Sequence, residues 1–149
     1  MRKGYTDDKT AIADILAEAE ILWLALTDHD GPYCVPVNFA AEGNVIYIHS
    51  GKRGRKAACL NSGDTVAFST AVDVRMRKGG DNACDQGYLF RSVMGHGTPR
   101  PVDGNEKMHG LNLLSIKHLG KQLPYKESAL PATAVYVIDI ETVSARIKE

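Results

Sequence analysis

Paired cysteines, net charge and long apolar runs are all scarce in this sequence, and each scarcity removes a class of protein. Cys34, Cys59 and Cys84 are odd in number and widely spaced, with no CxxC pair. Neither a disulfide scaffold nor a structural zinc site is expected, and a reducing, cytoplasmic compartment is the default. Eighteen Lys and Arg balance eighteen Asp and Glu, so no overall field draws the chain to nucleic acid or to an anionic membrane. The longest mainly apolar stretch, near Ile21 to Leu26, is far too short to span a bilayer. The opening MRKGYTDDKT has no apolar signal core. No GxGxxG follows the first strand pattern, and no glycine-to-Lys-Ser/Thr spacing marks a P-loop. His29, His96, His109 and His118 share no common spacing, so no metal is assigned to them. Cys84–Asp85 has no arguable histidine partner, and Cys84 reads as structural. With 149 residues, no repeat and no low-complexity segment, residues 1–149 form a single domain large enough to enclose a core.

What the chain does have is the stretch Asn44 to Gly63, NVIYIHSGKRGRKAACLNSG. Val45 to Ile48 reads as a short β run. His49 and Ser50 end it, and Gly51 and Gly54 bracket a turn carrying Lys52, Arg53, Arg55 and Lys56. A short helix, Arg55 to Asn61, follows and stops at Gly63. Cations in a first helical turn oppose the helix dipole and cost a few tenths of a kcal/mol each. An anion would reverse that sign, since free N–H groups, glycines and cations together suit a phosphate. The alternative is a solvated basic loop.

Around this stretch the remaining elements fall into order. Residues 1–9 form a polar arm ordered only by packing. Thr10 caps a helix through Ala19 with Ile12, Ile15 and Leu16 on one face. Ile21 to Leu26 is a buried strand, and Asp28-His29-Asp30-Gly31 a turn. Tyr33 to Phe39 is a second strand, placed at an edge or opening because Pro36 cannot donate to a ladder. Glu42-Gly43-Asn44 turns into the Val45 strand, giving a three-strand meander. Asp64 to Val74 is a long strand with Val66, Phe68, Thr70 and Val72 on one face, followed by a polar excursion to Asn82. Tyr88 to Thr98 is a fifth strand ended by Pro99 and Pro101. Gly95 and Gly97 on it imply close approach by a backbone, a ligand or a barrel bend. Asp103 with Glu106 has capping-box spacing for a helix to Leu119, and Thr133 to Ile140 is the last strand. Trp23 is assigned to the core or to a contact between chains. The sum is a mainly β fold, a small antiparallel barrel of about six strands with flanking helices, and not a doubly wound parallel sheet.

Two segments, PYCVPVNFAAEGNVIYIHSGKRGRK (Pro32 to Lys56) and CDQGYLFRSVMGHGT (Cys84 to Thr98), together resemble the nitroimidazole-resistance proteins. Those proteins belong to the pyridoxamine 5′-phosphate oxidase-related FMN-binding split barrels. The resemblance implies a homodimer with FMN in the groove between chains, contacted by both. It places Val35, Pro36, Val37, Asn38 and Phe39 along the isoalloxazine, and His49 and Ser50 at the ring or ribityl chain. Arg55 and Lys56 would hold the phosphate, while Arg91, Ser92 and the Gly95–Gly97 strand would form another wall, supplied by the partner chain. The implied reaction is reduction of a small nitroaromatic substrate with electrons from a nicotinamide or another donor. The chain offers no residue to name as general acid. It departs from true pyridoxamine phosphate oxidases in having only SARIKE after its last strand pattern. Competing readings are a flavin-binding module with little turnover, a haem-binding split barrel and a deazaflavin-dependent enzyme.

Overall fold

The computed structural model describes residues 3–149. In chain order the elements are β1 (Tyr5–Thr6), α1 (Lys9–Glu18), β2 (Ile21–Asp28), β3 (Gly31–Asn38), β4 (Ala40–Glu42), β5 (Val45–Gly51), α2 (Arg55–Ser62), β6 (Val66–Arg77), β7 (Gly87–Val102), α3 (Gly104–Leu119) and β8 (Thr133–Lys148), with a 3₁₀ turn at Ala83–Asp85 before β7. The fold is mainly β, one antiparallel sheet with flanking helices. The sheet has eight strands, more than the six or so expected from sequence, in the order β3-β2-β6-β7-β8-β5-β4 with β1 on β8.

The two extra strands are short, and each has a cause. Tyr5 and Thr6 pair with Arg146 and Ala145, so the described part of the N-terminal arm is held by a ladder as well as by packing; residues 1 and 2 of the arm lie outside the described residues. Ala40–Glu42 pairs with Val45–Tyr47 as the first limb of a hairpin. That hairpin breaks the expected meander, because β5 continues onto β8 and not onto β3. Phe39, fully buried, is the single residue between β3 and β4. The chain therefore passes from one edge strand of the sheet to the other at Phe39. β3 is hydrogen-bonded to β2 and β4 to β5, and no β3–β4 ladder is among the pairings of the described residues. Pro36 opposes Trp23 on this edge strand, where a missing N–H is harmless.

Pro99 and Pro101 do not end β7. Its pairing with β6 stops at Gly97, while its pairing with β8 runs on to Val102. Both prolines therefore lie where β7 has one neighbour, and a ladder on the open side is not required. The residues SARIKE are likewise strand, since β8 extends to Lys148 against β7. Gly95 and Gly97 mark close backbone approach. A Cβ at Gly95 would stand 2.4 Å from the Thr142 carbonyl oxygen, and one at Gly97 2.5 Å from that of Asp139.

The core lies inside the curled sheet. Leu22, Leu24 and Leu26 point inward from β2, and Ile12, Ile15 and Leu16 of α1, Phe39, Ile46, Ile48, Leu60, Phe68, Tyr136 and Ile138 meet them. Tyr47, Val102, Val135 and Val137 face the other way and are covered by Leu111 of α3. β5 is thus buried on both faces, which is why its sequence reads as a continuous apolar run. On β2 the outward residues have no such cover, and Trp23 is 52% exposed. The tryptophan is not core.

α1 begins one residue before Thr10, because Asp8 and not Thr10 caps it, accepting from the Ala11 amide at 2.7 Å. At α3 the Asp103 side chain makes no cap bond. Its expected partner Glu106 bonds Arg100 instead, at 3.0 Å.

Candidate functional site

α2 starts as its sequence predicts and ends in a left-handed Gly63 at φ 75°. Its N-cap is Gly54, at φ 107°, which offers no side chain to the first-turn amides. A Cβ at Gly51 or Gly54 would meet nothing within 4 Å, so the turn is bare and open. An uncapped helix start carrying Lys56, beside exposed Lys52 and Arg53, has the donors and charge that a phosphate requires.

Arg55 is a different case from its neighbours. Its Nε donates to Asp28 Oδ2 at 2.8 Å and its Nη2 to Asp28 Oδ1 at 2.8 Å. Nη2 also reaches the Gly31 carbonyl at 3.1 Å, and the guanidinium lies 4.1 Å from the Tyr33 ring centre. The bond to Arg55 holds the Asp28 carboxyl down at about 2, and the same bond raises Arg55. Arg55 is thus not an uncompensated cation opposing the dipole. The turn between β2 and β3 supplies its counter-charge, and sequence reading saw only a turn there. The Tyr33 hydroxyl is buried without a partner, and burial raises it.

Asn38 and His49 come together at a cavity of about 500 Å³ that they share with Leu111, Leu114, His118 and Tyr125. The cavity walls come from α3 and the loop after it. Asn38 Nδ2 donates to the Glu20 carbonyl at 3.3 Å. His118 Nε2 lies 3.0 Å from the Phe39 carbonyl oxygen, which makes that nitrogen the donor. Burial, then the charges of Lys56 and His118, push the His49 imidazole below its ordinary value. His49 is therefore neutral near pH 7. Ser115 and Tyr125 spend their hydroxyls on the Lys121 and Leu111 carbonyls. The cavity presents an apolar body with Asn38 and two imidazoles at its polar end.

Val37 and Ser50 are buried, Val35 is half-buried and Pro36 exposed. Arg91 and Ser92 are not brought to α2 within the chain. Ser50 pairs with Ala134 at the start of β8, and Ser92 with Arg146 near its end. Arg91 is held there by Asp73, Nε to Oδ2 at 2.6 Å, and by Glu18. Asp73 sits in the β6 bulge at φ 53°. The neighbours of Arg55 and His49 that the sequence alone does not bring to them are Asp28, Tyr33 and His118. Only Asp28 carried a signal, as an acid at the head of a DHDG turn.

The model of the pyridoxamine 5′-phosphate oxidase family matches residues 8–147. No curated protein matches the chain. Among solved structures, a candidate 5-nitroimidazole antibiotic resistance protein from Bacteroides thetaiotaomicron is 24% identical, with a TM-score of 0.84 over 96% of this chain and 86% of that one. The FAD and heme binding protein from Mycobacterium smegmatis is 18% identical, with a TM-score of 0.88 over 99% of this chain and 74% of that one. A candidate pyridoxamine 5′-phosphate oxidase from Listeria innocua is 20% identical, with a TM-score of 0.64 over 93% and 95%. At these identities the likeness establishes the fold.

Proposed function

Because the chain belongs to the pyridoxamine 5′-phosphate oxidase family, we propose that it is a flavin-dependent oxidoreductase using FMN to reduce a small neutral aromatic acceptor, such as a nitroaromatic. The observation that carries this reading is the bare, basic start of α2 within the same stretch of chain as the Asn38–His49 cavity. A phosphomonoester suits the Gly54 end of α2, where Arg55 and Lys56 stand in the first turn. The backbone of Val35, Pro36, Val37 and Asn38 offers an extended edge to the polar side of a ring, and His49 and Ser50 stand at the strand end between the two. When bound, the flavin supplies hydride and electron transfer.

The chain's own residues shape what meets it. Leu111, Leu114 and Leu123 give the cavity an apolar wall, and no Asp, Glu, Lys or Arg is among its described lining residues, so a charged substrate finds no fixed counter-ion. Neutral His49 accepts or donates one hydrogen bond without adding charge. The electron donor in this reading is a nicotinamide.

The functional unit is a homodimer. Trp23 and Met94 are exposed on the outer face of the sheet and line a largely apolar cavity of about 430 Å³; Ile21, two residues from Trp23 on β2, is exposed as well. In this reading a second copy seats on this face and supplies Arg91 and Ser92 to the groove. The test is to denature purified protein and identify the released cofactor, then follow flavin reduction by NAD(P)H and reoxidation by a nitroimidazole. Released FMN and reoxidation by the nitro compound support the reading. Loss of no flavin, or of a deazaflavin, rejects it. A haem reading has the His49–His118 cavity in its favour, and a Soret band in purified protein would establish it instead.

A further inference from the structure

Asp28 and Tyr33 do more for Arg55 than neutralise it. The Asp28 carboxylate takes Nε and Nη2 in a side-on, bidentate pair, and Oδ1 also accepts the Asp30 amide at 2.9 Å. The Gly31 carbonyl takes a further Nη2 hydrogen, and the Tyr33 ring lies against the guanidinium face. One edge and one face of the guanidinium are therefore fixed. Nη1, the remaining edge, makes no hydrogen bond among the described residues.

We propose that the β2–β3 turn is a positioning device for the cofactor phosphate. Asp28 is the positioning residue, holding Arg55 at the start of α2 with Nη1 left for a phosphate oxygen. The inference rests on the reading of α2 as the phosphate end of the FMN site. Two effects of Asp28 compete. Its charge repels a phosphate, and its bonds fix an arginine that otherwise loses rotamer freedom on binding. Asp28 and a phosphate oxygen on Nη1 would stand on opposite edges of one guanidinium, whose positive charge lies between them and offsets their repulsion, while the ordering gain is undiminished. Ordering wins.

The experiment titrates apo protein with FMN and with riboflavin and reads the ratio of the two dissociation constants. Arg55→Ala should lower the preference for FMN about ten- to a hundredfold, the worth of a charge-assisted bond. Asp28→Ala should lower it at least about threefold, and should do nothing further in the Arg55→Ala background. Asp28→Asn, which keeps the shape and one acceptor, should fall between, and serves if the alanine variant does not fold. A merely structural Asp28 would weaken both flavins equally and leave the ratio unchanged, and that result overturns the proposal. So does tighter FMN binding by Asp28→Ala, which would mean that repulsion dominates. An unchanged ratio in Arg55→Ala alone would instead overturn the placement of the phosphate itself, and the proposal with it.

Discussion

The ammonium of Lys117 lies 3.6 Å from the centre of the Phe39 ring and donates to the Leu16 carbonyl at 2.9 Å. Phe39 is where the chain passes between the sheet's two edge strands, Leu16 is in the last turn of α1, and Lys117 is in the last turn of α3. One side chain thus ties both helix ends to that crossing. The cation also faces the negative end of the α1 dipole.

That position has a pH signature. Burial pulls Lys117 down to about 8, against the opposing pull of Glu20. A lysine with a folded value below its unfolded 10.5 binds fewer protons when folded. Stability then rises with pH between about 8 and 10.5. Lys117→Met removes the titration, so the stability difference between variant and wild type should shift steadily in favour of wild type across that window. Urea unfolding at pH 7, 9 and 10.5 checks it, and a difference that stays constant across the three would refute the buried ammonium.

Gly110 tests the seat of α3. Alanine in a helix interior is favoured over glycine by about 1 kcal/mol. Here the added Cβ would come 2.6 Å from Tyr47 Cδ1 and 3.2 Å from Val135 Cγ1, both buried. Overpacking of this kind costs about 1–3 kcal/mol, so Gly110→Ala should lower Tm despite the better propensity. Gly51→Ala, with open space around it, is the control and should stay within about 0.5 kcal/mol of wild type. Equal melting of the two variants would show that α3 shifts freely on the sheet.

The acid limb of stability belongs partly to Asp28. Its folded value of about 2 lies below the ordinary 3.8, chiefly through the Arg55 bond. The contribution is complete above pH 3.8 and fades as pH falls through about 2. Asp28→Asn should therefore unfold with a shallower pH dependence between 3.8 and 2, read by circular dichroism. Parallel acid limbs in the two proteins would mean that the Asp28–Arg55 pair is open in solution.

Local pattern made the helices legible. α2 and α3 end at Gly63 and Gly120 because no other residue reaches the left-handed cap as cheaply. The inward residues of β6 followed from alternation, as Val66, Phe68 and Thr70 are all buried. Ile21 to Leu26, read as a strand buried throughout, instead alternates, with Leu22, Leu24 and Leu26 buried and Ile21 and Trp23 exposed. What local pattern missed was set at a distance. Pro99 and Pro101 look like a strand end until β6 is known to stop opposite Gly97. The β5 strand could not be assigned to β8 in place of β3, because its alternation is the same against either. At the site, the basic turn was visible as a broken local rule. The acid that answers it stands 27 residues earlier on another hairpin, and sequence spacing carries no trace of that contact.

The cysteines report on the outer face of the sheet. Cys59 is 5% exposed, and burial, with Asp28 nearby, pushes its thiol up. It should react with a disulfide reagent only on unfolding. Cys84 is exposed in the 3₁₀ turn, and Cys34 is exposed beside Trp23 and Met94 in the apolar cavity. A lone chain would then show two fast thiols. A homodimer closed over the Trp23–Met94 face would show one, because Cys34 would be covered. We expect one fast thiol per chain at micromolar concentration, and two in Trp23→Arg, which places a charge in the face and should sediment as a monomer. Two fast thiols in a wild-type protein that sediments as a dimer would put the second copy on some other surface. Arg91 and Ser92 could then not reach the groove from the partner by this route, and the α2 end would have to hold the cofactor from one chain alone.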